Sequence, residues 1–375
     1  MVQVVFVHGV ATRTSPAYAI ESENREALFR QVAFKDRPLN LCSPMWGDEV
    51  PAFAWNGQCF PRFGKDKVAS FSLAGGRSAK STLQTTLGAS VATVAASDVP
   101  AAIDALFAQL VEDADSQGRK LTTDELAQFA AVTQQFKAGG FSKALAGAAD
   151  DLAFIKAVRA EAKLPASYGL VDSLKTAAGR LLDQGRNLAA DGLVALFRDE
   201  LNPLVARFLG DVFTYLKDGE IRTKIRDAVR PAIQAAASAR GAGEGLVLIG
   251  HSLGGVILYD MMTSDPELQL SPAAVDLFLT VGSQPGLFEE MKLFASDDLN
   301  VRSPDRVEGP AAVKSWLNVY DPVDLFGFRA TPVFAKAEDF GFNSATGLID
   351  AHTTYFKRPQ FHARLASHLD TLKIA

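Results

Sequence analysis

The chain has 375 residues, a formal net charge of −5, 48% hydrophobic residues and 22% charged residues. These values are typical of a globular, soluble protein; they exclude a disordered chain and a basic surface that binds nucleic acid. The length allows one large domain with a substantial insertion, or two domains of ordinary size.

Short apolar runs alternate with helix-like segments at both ends of the chain. Fully apolar runs such as "VVFV" and "LVLI" suit parallel strands that helices cover on both faces. In chain order, the predicted strands lie at about 2–7, 39–45, 245–250, 274–281, 314–320 and, with a weaker signal, 337–342. The predicted helices lie at about 22–34, 221–240, 253–264, 286–294 and 357–373. The sequence therefore predicts an α/β fold with a mostly parallel sheet.

The sequence has a different character between residues 60 and 210. Strand signals are absent there, and apolar residues recur at helical spacing, as in Ile103, Leu106 and Leu110. In "LTTDELAQF", Thr122 or Thr123 can cap a helix whose first turn is acidic. We therefore predict a helical insertion at 60–210 within a core formed by 1–59 and 211–375.

Two features favour a cytoplasmic location. The opening "VQVVFVHG" lacks the basic and long apolar regions of a secretory signal. The two cysteines, Cys42 and Cys59, are too few for a disulfide framework and fit no metal-ligand spacing, so idle or buried thiols are expected. The least polar long stretch, from Thr86, carries Asp98 and Pro100, so no transmembrane segment is predicted.

The stretch "LVLIGHSLGGVILYD" at 246–260 places Ser252 between a predicted strand and a predicted helix. A nucleophilic serine in an α/β sheet needs this position, because the hydroxyl then projects into the crevice at the end of the strand. Gly250 and Gly254 remove side chains that would clash in so tight a turn. Gly-x-Ser-x-Gly also occurs by chance, but its placement favours a nucleophile, and the motifs of phosphate-binding loops are absent.

A serine nucleophile needs a base that takes its proton, usually a histidine. When the serine lies on a strand-to-helix turn of an α/β sheet, the histidine follows it in the chain. His362 and His368 fall in an amphipathic terminal helix, where we expect solvated or half-buried side chains. His352 lies in "GLIDAHTTYF", a loop after the last predicted strand, which is where the base is needed. His352 is therefore the predicted base.

Two aspartates in "SWLNVYDPVDLFGF" could orient that histidine. Asp321 precedes Pro322, so capping of a turn explains it without catalysis. Asp324 sits deeper in the loop and can reach the histidine. We predict Asp324 as the acid and keep Asp321 as the alternative.

A serine nucleophile that attacks a carbonyl group also needs backbone N–H donors for the oxyanion that forms. In "VVFVHGVATR", Gly9 lets the chain turn so that the N–H of Val10 can face the site. The second predicted donor is the N–H of Leu253. We expect His8 to hold this loop by a side-chain hydrogen bond.

Five segments together resemble the α/β-hydrolase family, particularly its lipase-like and serine-esterase-like branches. They are "FVHGV", "LIGHSLGGVILYD", "LTVGSQPG", "WLNVYDPVD" and "AHTTYF", in the expected order, and they cover about the first 50 residues and the chain from about 211 onward. The resemblance implies an α/β-hydrolase-type fold with about six strands. It also implies Ser252 as nucleophile, Asp324 as acid, His352 as base, and the amides of Val10 and Leu253 as oxyanion donors. The long segment between the first strand and Ser252 departs from the minimal family core.

The function expected from these residues is hydrolysis of a carboxylic ester with a lipid-like or hydrophobic acyl group. The 25 phenylalanines make an apolar acyl pocket plausible, although most of them must serve the core. Two alternatives stay open: a hydrolase-fold binding or interaction module with little turnover, and an acyltransferase that uses the same triad. We expect no cofactor and no metal. The expected partner is a small-molecule or lipid ester; peripheral membrane contact and a protein partner held by the insertion stay open.

Overall fold

The computed structural model describes residues 1–51, 90–164, 174, 176–179, 206–217, 219–342 and 350–374. Within these ranges the chain forms one six-stranded sheet in the order β2-β1-β3-β4-β5-β6, and every neighbouring pair is parallel. The strands are β1 Val2–Val7, β2 Leu39–Cys42, β3 Leu246–His251, β4 Val275–Val281, β5 Val313–Tyr320 and β6 Ala337–Gly341. The predicted α/β class and parallel sheet are confirmed.

Helices lie between most of these strands, but the chain described between β5 and β6 contains no helix. The helices are α1 Pro16–Leu28, α2 Val91–Ser97, α3 Val99–Ser116, α4 Thr123–Lys137, α5 Asp151–Glu161, α6 Glu220–Ala239, α7 Leu253–Ser264, α8 Pro285–Glu290 and α9 Pro359–Thr371. A further helical stretch, 206–216, precedes α6.

Two predicted helix boundaries are wrong. Helix α1 begins at Pro16 rather than near 22, because the side chain of Ser15 caps the helix and Pro16 suits its first position. The five-residue π-helix Phe29–Ala33 follows directly after the end of α1. Helix α8 ends at Glu290, and Lys292, which was expected to be helical, has a left-handed backbone with φ 53°.

Helices cover both faces of the sheet. From β1, the side chains of Val5 and Val7 pack into an apolar cluster with α6 and α7. Val4 and Phe6 point the other way, into a cluster with α9. This alternation follows from the two-residue period of a strand, and it explains why β1 is apolar along its whole length.

Helices α2 to α5 supply most of a further apolar cluster, which also contains Leu28 and Val32 and in which Phe107, Phe129 and Phe154 are fully or almost fully buried. Thr122 caps α4 with a reciprocal bond to Glu125, as the sequence predicts for one of its two candidates. Within the predicted insertion, residues 60–89, 165–173, 175 and 180–205 lie outside the described residues, as does Cys59. Cys42 is described and is exposed.

The helical stretch 206–216 crosses the predicted boundary at 210. Its residues Val212 and Tyr215 belong to the cluster that contains α6 and α7. In the part of the chain that the structure describes, every helix is too short or too polar to span a bilayer.

Candidate active site

The topology creates a crevice at the carboxyl end of the sheet. From β1 the chain passes to β2 on one side, and it later returns to β3 on the other side of β1. Ligands of open α/β sheets bind where the strand order reverses in this way. The loop that begins with His8 follows β1, and Ser252 follows β3, so the topology brings both to this crevice.

Ser252 forms the turn between β3 and α7 and is fully buried. Its backbone has φ 51° and ψ −129°, a conformation that side chains rarely adopt. Two hydrogen bonds to the end of β4 and the loop after it hold the turn: the Ser252 N–H donates to the Val281 carbonyl at 3.0 Å, and the Ser283 hydroxyl donates to the Ser252 carbonyl at 2.6 Å. The neighbouring strand therefore helps to maintain the strained turn.

The glycines around Ser252 are required by space. A Cβ atom on Gly250 would lie 2.4 Å from the Cα atom of Gly255, and one on Gly254 would lie 2.1 Å from the Val7 carbonyl oxygen. Any side chain at these positions would force the helix α7 away from the sheet.

Asp324 and His352 form a buried hydrogen-bonded pair. The His352 Nδ1 atom lies 3.0 and 2.9 Å from the two carboxylate oxygens of Asp324, and each residue is 4% exposed. The carboxylate also accepts the Phe326 N–H and the Tyr355 hydroxyl, each at 2.8 Å. Burial alone would raise the pKa of Asp324, but these hydrogen bonds and His352 outweigh it and hold the pKa below its usual value.

Asp321 has a different role in the same loop. Its carboxylate accepts the Val323 N–H at 3.0 Å, which is the turn-capping arrangement, and its own N–H donates to the Tyr355 hydroxyl at 2.8 Å. The structure thus brings Asp324, and not Asp321, to His352.

The atoms between which a proton would pass are both buried. Ser252 Oγ and His352 Nε2 have no hydrogen-bond partner among the described residues, and they form no hydrogen bond with each other. Such bonds are often long before substrate binds. The two atoms are therefore buried, without a partner in the described part of the chain, at the same edge of the sheet.

His251 connects the serine turn with the histidine loop. Its Nε2 atom lies 2.8 Å from the His352 carbonyl oxygen, and the two rings lie 5.0 Å apart. Loss of solvent around the ring, together with the nearby His352, lowers the pKa of His251 to about 3. The ring is therefore neutral, and its Nε2–H donates to His352. No sequence pattern predicts this contact, apart from the position of His251 next to Ser252.

The loop after β1 lies directly on the serine turn. A Cβ atom on Gly9 would come within 2.8 Å of the Ser252 Cβ atom, so only glycine fits there. Among the described residues, the N–H groups of Val10 and Leu253 have no protein acceptor. Both predicted donors are thus uncommitted at the edge where Ser252 lies.

His8 holds this loop through Trp46. The two rings stack at 4.8 Å, the Trp46 N–H donates to His8 Nε2 at 3.3 Å, and the indole N–H donates to the His8 carbonyl at 2.9 Å. Burial lowers the pKa of His8 to about 3, so the ring stays neutral and can accept.

The two histidines of α9 lie elsewhere. The prediction that His362 is solvated or half-buried is wrong, because it is fully buried with Phe29 and Phe129 packed edge-on against its ring. Its Nε2 donates to the Phe356 carbonyl at 2.7 Å. His368 is partly exposed and lies against Phe340, as expected for a helix histidine.

Aromatic side chains border the Asp324–His352 pair. Phe326 packs edge-on against His352, with 5.1 Å between the ring centroids. The ring centroids of Phe208 and Phe326 lie 4.3 Å apart. Large apolar side chains are also exposed on the same two segments; they are Leu209, Phe213, Val323 and Leu325. Groups of three or more His, Cys, Asp or Glu side chains that could hold a metal ion are absent from the described ranges.

The chain matches no family model, and no curated protein or solved structure matches it significantly. The fold and the site define a class by themselves: an α/β protein with a buried serine on a strained strand-to-helix turn and a buried Asp–His pair at the same edge of the sheet.

Proposed function

We propose that the protein is a serine hydrolase that cleaves a carboxylic ester with a lipid-like or hydrophobic acyl group. The observation that carries the proposal is the buried hydrogen bond between Asp324 and His352, combined with the unpartnered and buried hydroxyl of Ser252. Burying a polar atom without a partner costs free energy. The Ser252 Oγ and His352 Nε2 atoms, which are buried without a partner in the described ranges, therefore require an explanation beyond stability.

The arrangement supports acyl transfer through Ser252. With Nδ1–H donated to Asp324, the Nε2 atom of His352 carries the lone pair and can take the serine proton. The serine oxygen then attacks the ester carbonyl, and the N–H groups of Val10 and Leu253 bind the developing oxyanion. His352 returns the proton to the leaving alcohol, and water releases the acid in the second half-reaction.

We also propose that the sheet is an α/β-hydrolase-type core and that residues 60–210 are a helical insertion. The position of Ser252, Asp324 and His352 after β3, β5 and β6 supports the first part. The separate apolar cluster of α2 to α5 supports the second. A cytoplasmic location stays a prediction.

The aromatic border supports a hydrophobic acyl group. Phe326 contacts the ring of His352, and Phe208 extends the apolar surface from there. An apolar surface of this kind would bind alkyl or aromatic acyl chains through burial of apolar area, about 25 cal/mol per Å².

The test is reaction of the purified protein with a fluorophosphonate probe, with the adduct located by mass spectrometry. We expect labelling at Ser252, no labelling of Ser252→Ala, and strongly reduced labelling of His352→Ala, because the base is then missing. His368→Ala is the matched histidine control and should label normally. Absence of labelling in the folded wild-type protein would contradict the proposal and favour a binding module.

The same proteins are then assayed on carboxylic esters of increasing acyl length. Turnover that rises with acyl length and disappears in Ser252→Ala is the expected result. Activity restricted to charged or peptide substrates would contradict a hydrophobic acyl ester as the substrate.

A further inference from the structure

Asp211 is a buried carboxylate that binds the loop carrying the candidate oxyanion donor Val10. It belongs to the helical stretch 206–216 and is 2% exposed. Its Oδ2 atom accepts the N–H of Ala11 at 2.8 Å, and its Oδ1 atom accepts the guanidinium of Arg13 at 2.9 Å. One side chain thus holds two residues of the loop that follows β1.

Ala11 has an unusual backbone conformation. Its φ angle is 60°, which lies in the left-handed region. Any residue with a Cβ atom is less stable in this conformation than glycine is. The hydrogen bond from its N–H to a carboxylate is of the stronger, charge-assisted kind and offsets this cost. Ala11 follows Val10, so the bond fixes the peptide plane next to the one that carries the Val10 N–H.

The helix that carries Asp211 is itself fixed on two sides. Val212 and Tyr215 are buried in the core, and the Tyr215 hydroxyl donates to Asp260 of α7. Phe208 contacts Phe326 in the acid loop. The same helix therefore contacts both the loop of the candidate oxyanion donor and the loop that carries Asp324.

We infer that Asp211 is a positioning residue: it holds Ala11 in the left-handed conformation and so keeps the Val10 N–H directed at the oxyanion site beside Ser252. The inference rests on the proposed function. It assigns a role to the helix 206–216, since the geometry of the oxyanion site then depends on where this helix is placed.

The test compares the fluorophosphonate labelling rate and the ester kcat of three variants with the wild type. Asp211→Ala should lower both by about 10- to 100-fold, with KM little changed, because loss of one oxyanion donor costs about 100- to 1,000-fold and here the donor is only misdirected. The double variant Asp211→Ala with Ala11→Gly should recover at least part of the loss, because glycine adopts the left-handed conformation without a Cβ clash. Asp48→Ala is the matched control: this carboxylate accepts the Thr14 N–H in the same loop but does not touch Ala11, so the activity should stay at the wild-type value.

Asp211→Asn is a second variant in case Asp211→Ala does not fold. It keeps a side-chain oxygen that can accept the Ala11 N–H, so it should retain more activity than Asp211→Ala. The inference is overturned if Asp211→Ala reacts at the wild-type rate, or if glycine at position 11 recovers nothing in a protein that remains folded. It is also overturned, together with the proposed function, if the wild type does not label at Ser252. Labelling of the wild type with no effect at Asp211 would overturn the inference alone.

Discussion

Ser252 has two features that cost stability. Its backbone lies in a region open mainly to glycine, which costs about 1–3 kcal/mol. Its hydroxyl is buried without a hydrogen-bond partner among the described residues, which costs roughly 1–3 kcal/mol more. A residue under structural selection alone would be glycine, so both costs are consistent with a chemical role for the hydroxyl.

These costs predict an order of stability for two variants. Ser252→Ala removes the buried hydroxyl but keeps the strain, and Ser252→Gly removes both, so the free energy of unfolding should rise from wild type to alanine to glycine. We expect a step of about 1 kcal/mol between alanine and glycine. Urea unfolding of the three proteins measures it. A wild type more stable than Ser252→Gly would contradict this account of the turn.

Sequence patterns could single out Ser252, Asp324 and His352 as candidates, because each follows a strand and the order of such residues along the chain is restricted; their chemical roles stay a prediction. The positioning residues could not be predicted in this way. His251 meets His352 across 101 positions, and Asp211 meets Ala11 across 200. Such contacts depend on how the loops pack, and an aspartate or histidine in a helix or strand end carries no local signal for them.

At the scale of elements, the short 3-10 turn Tyr355–Lys357 connects the histidine loop with the acid loop. The Tyr355 hydroxyl accepts the Asp321 N–H and donates to Asp324, each at 2.8 Å. It therefore fixes the position of the acid carboxylate and helps to keep its pKa low.

Tyr355→Phe removes both bonds and should lower kcat by about 10-fold, because Asp324 then orients His352 less well. Thr133→Val is the control, since it removes a buried hydroxyl that donates to the Phe129 carbonyl in α4, away from the pair. Each variant should lose about 1 kcal/mol of stability in urea unfolding. Equal activities in the two variants would show that the Tyr355 hydroxyl does not act through Asp324.

The positions of the strands could be predicted closely from sequence. Strands that are buried in one parallel sheet form apolar runs, and the ends of these runs lie near the ends of the strands. The helix ends were less predictable. Ser15 and Pro16 carry the cap signal that marks the start of α1, about six residues before the predicted start. The end of α8 depends on the left-handed Lys292, for which its residue type gives no cue.

At the scale of the whole molecule, α9 joins the sheet to the separate helical cluster. Gln360 binds Asp104 of α3 through its side chain at 2.9 Å, and Lys357, just before α9, pairs with Asp115 of α3 at 3.1 Å. His362 lies in this junction between Phe29 and Phe129. Burial lowers the pKa of His362 to about 4.

This shift makes the junction sensitive to acid. An unfolded histidine binds a proton below about pH 6.5, whereas folded His362 does so only near its lowered pKa. Between these values the unfolded state holds the extra proton, so the free energy of unfolding decreases as the pH falls, by about 1.4 kcal/mol per pH unit. His362→Gln keeps a donor for the Phe356 carbonyl but cannot take up the proton.

The stability advantage of the wild type over His362→Gln should therefore shrink by about 3 kcal/mol between pH 7 and pH 4. Urea unfolding of both proteins at several pH values measures this difference. Four other titratable groups also change the free energy of unfolding over this pH range. The pKa values of His8 and His251 are lowered to about 3, so these residues lower stability as the pH falls. Burial raises the pKa values of Asp104 and Asp297 to about 7, so these residues raise it. These four groups are present in both proteins, so their contributions cancel in the difference. A difference that does not vary with pH would mean that His362 is protonated as readily in the folded chain as in the unfolded one, and that its burial does not make the helix junction acid-sensitive.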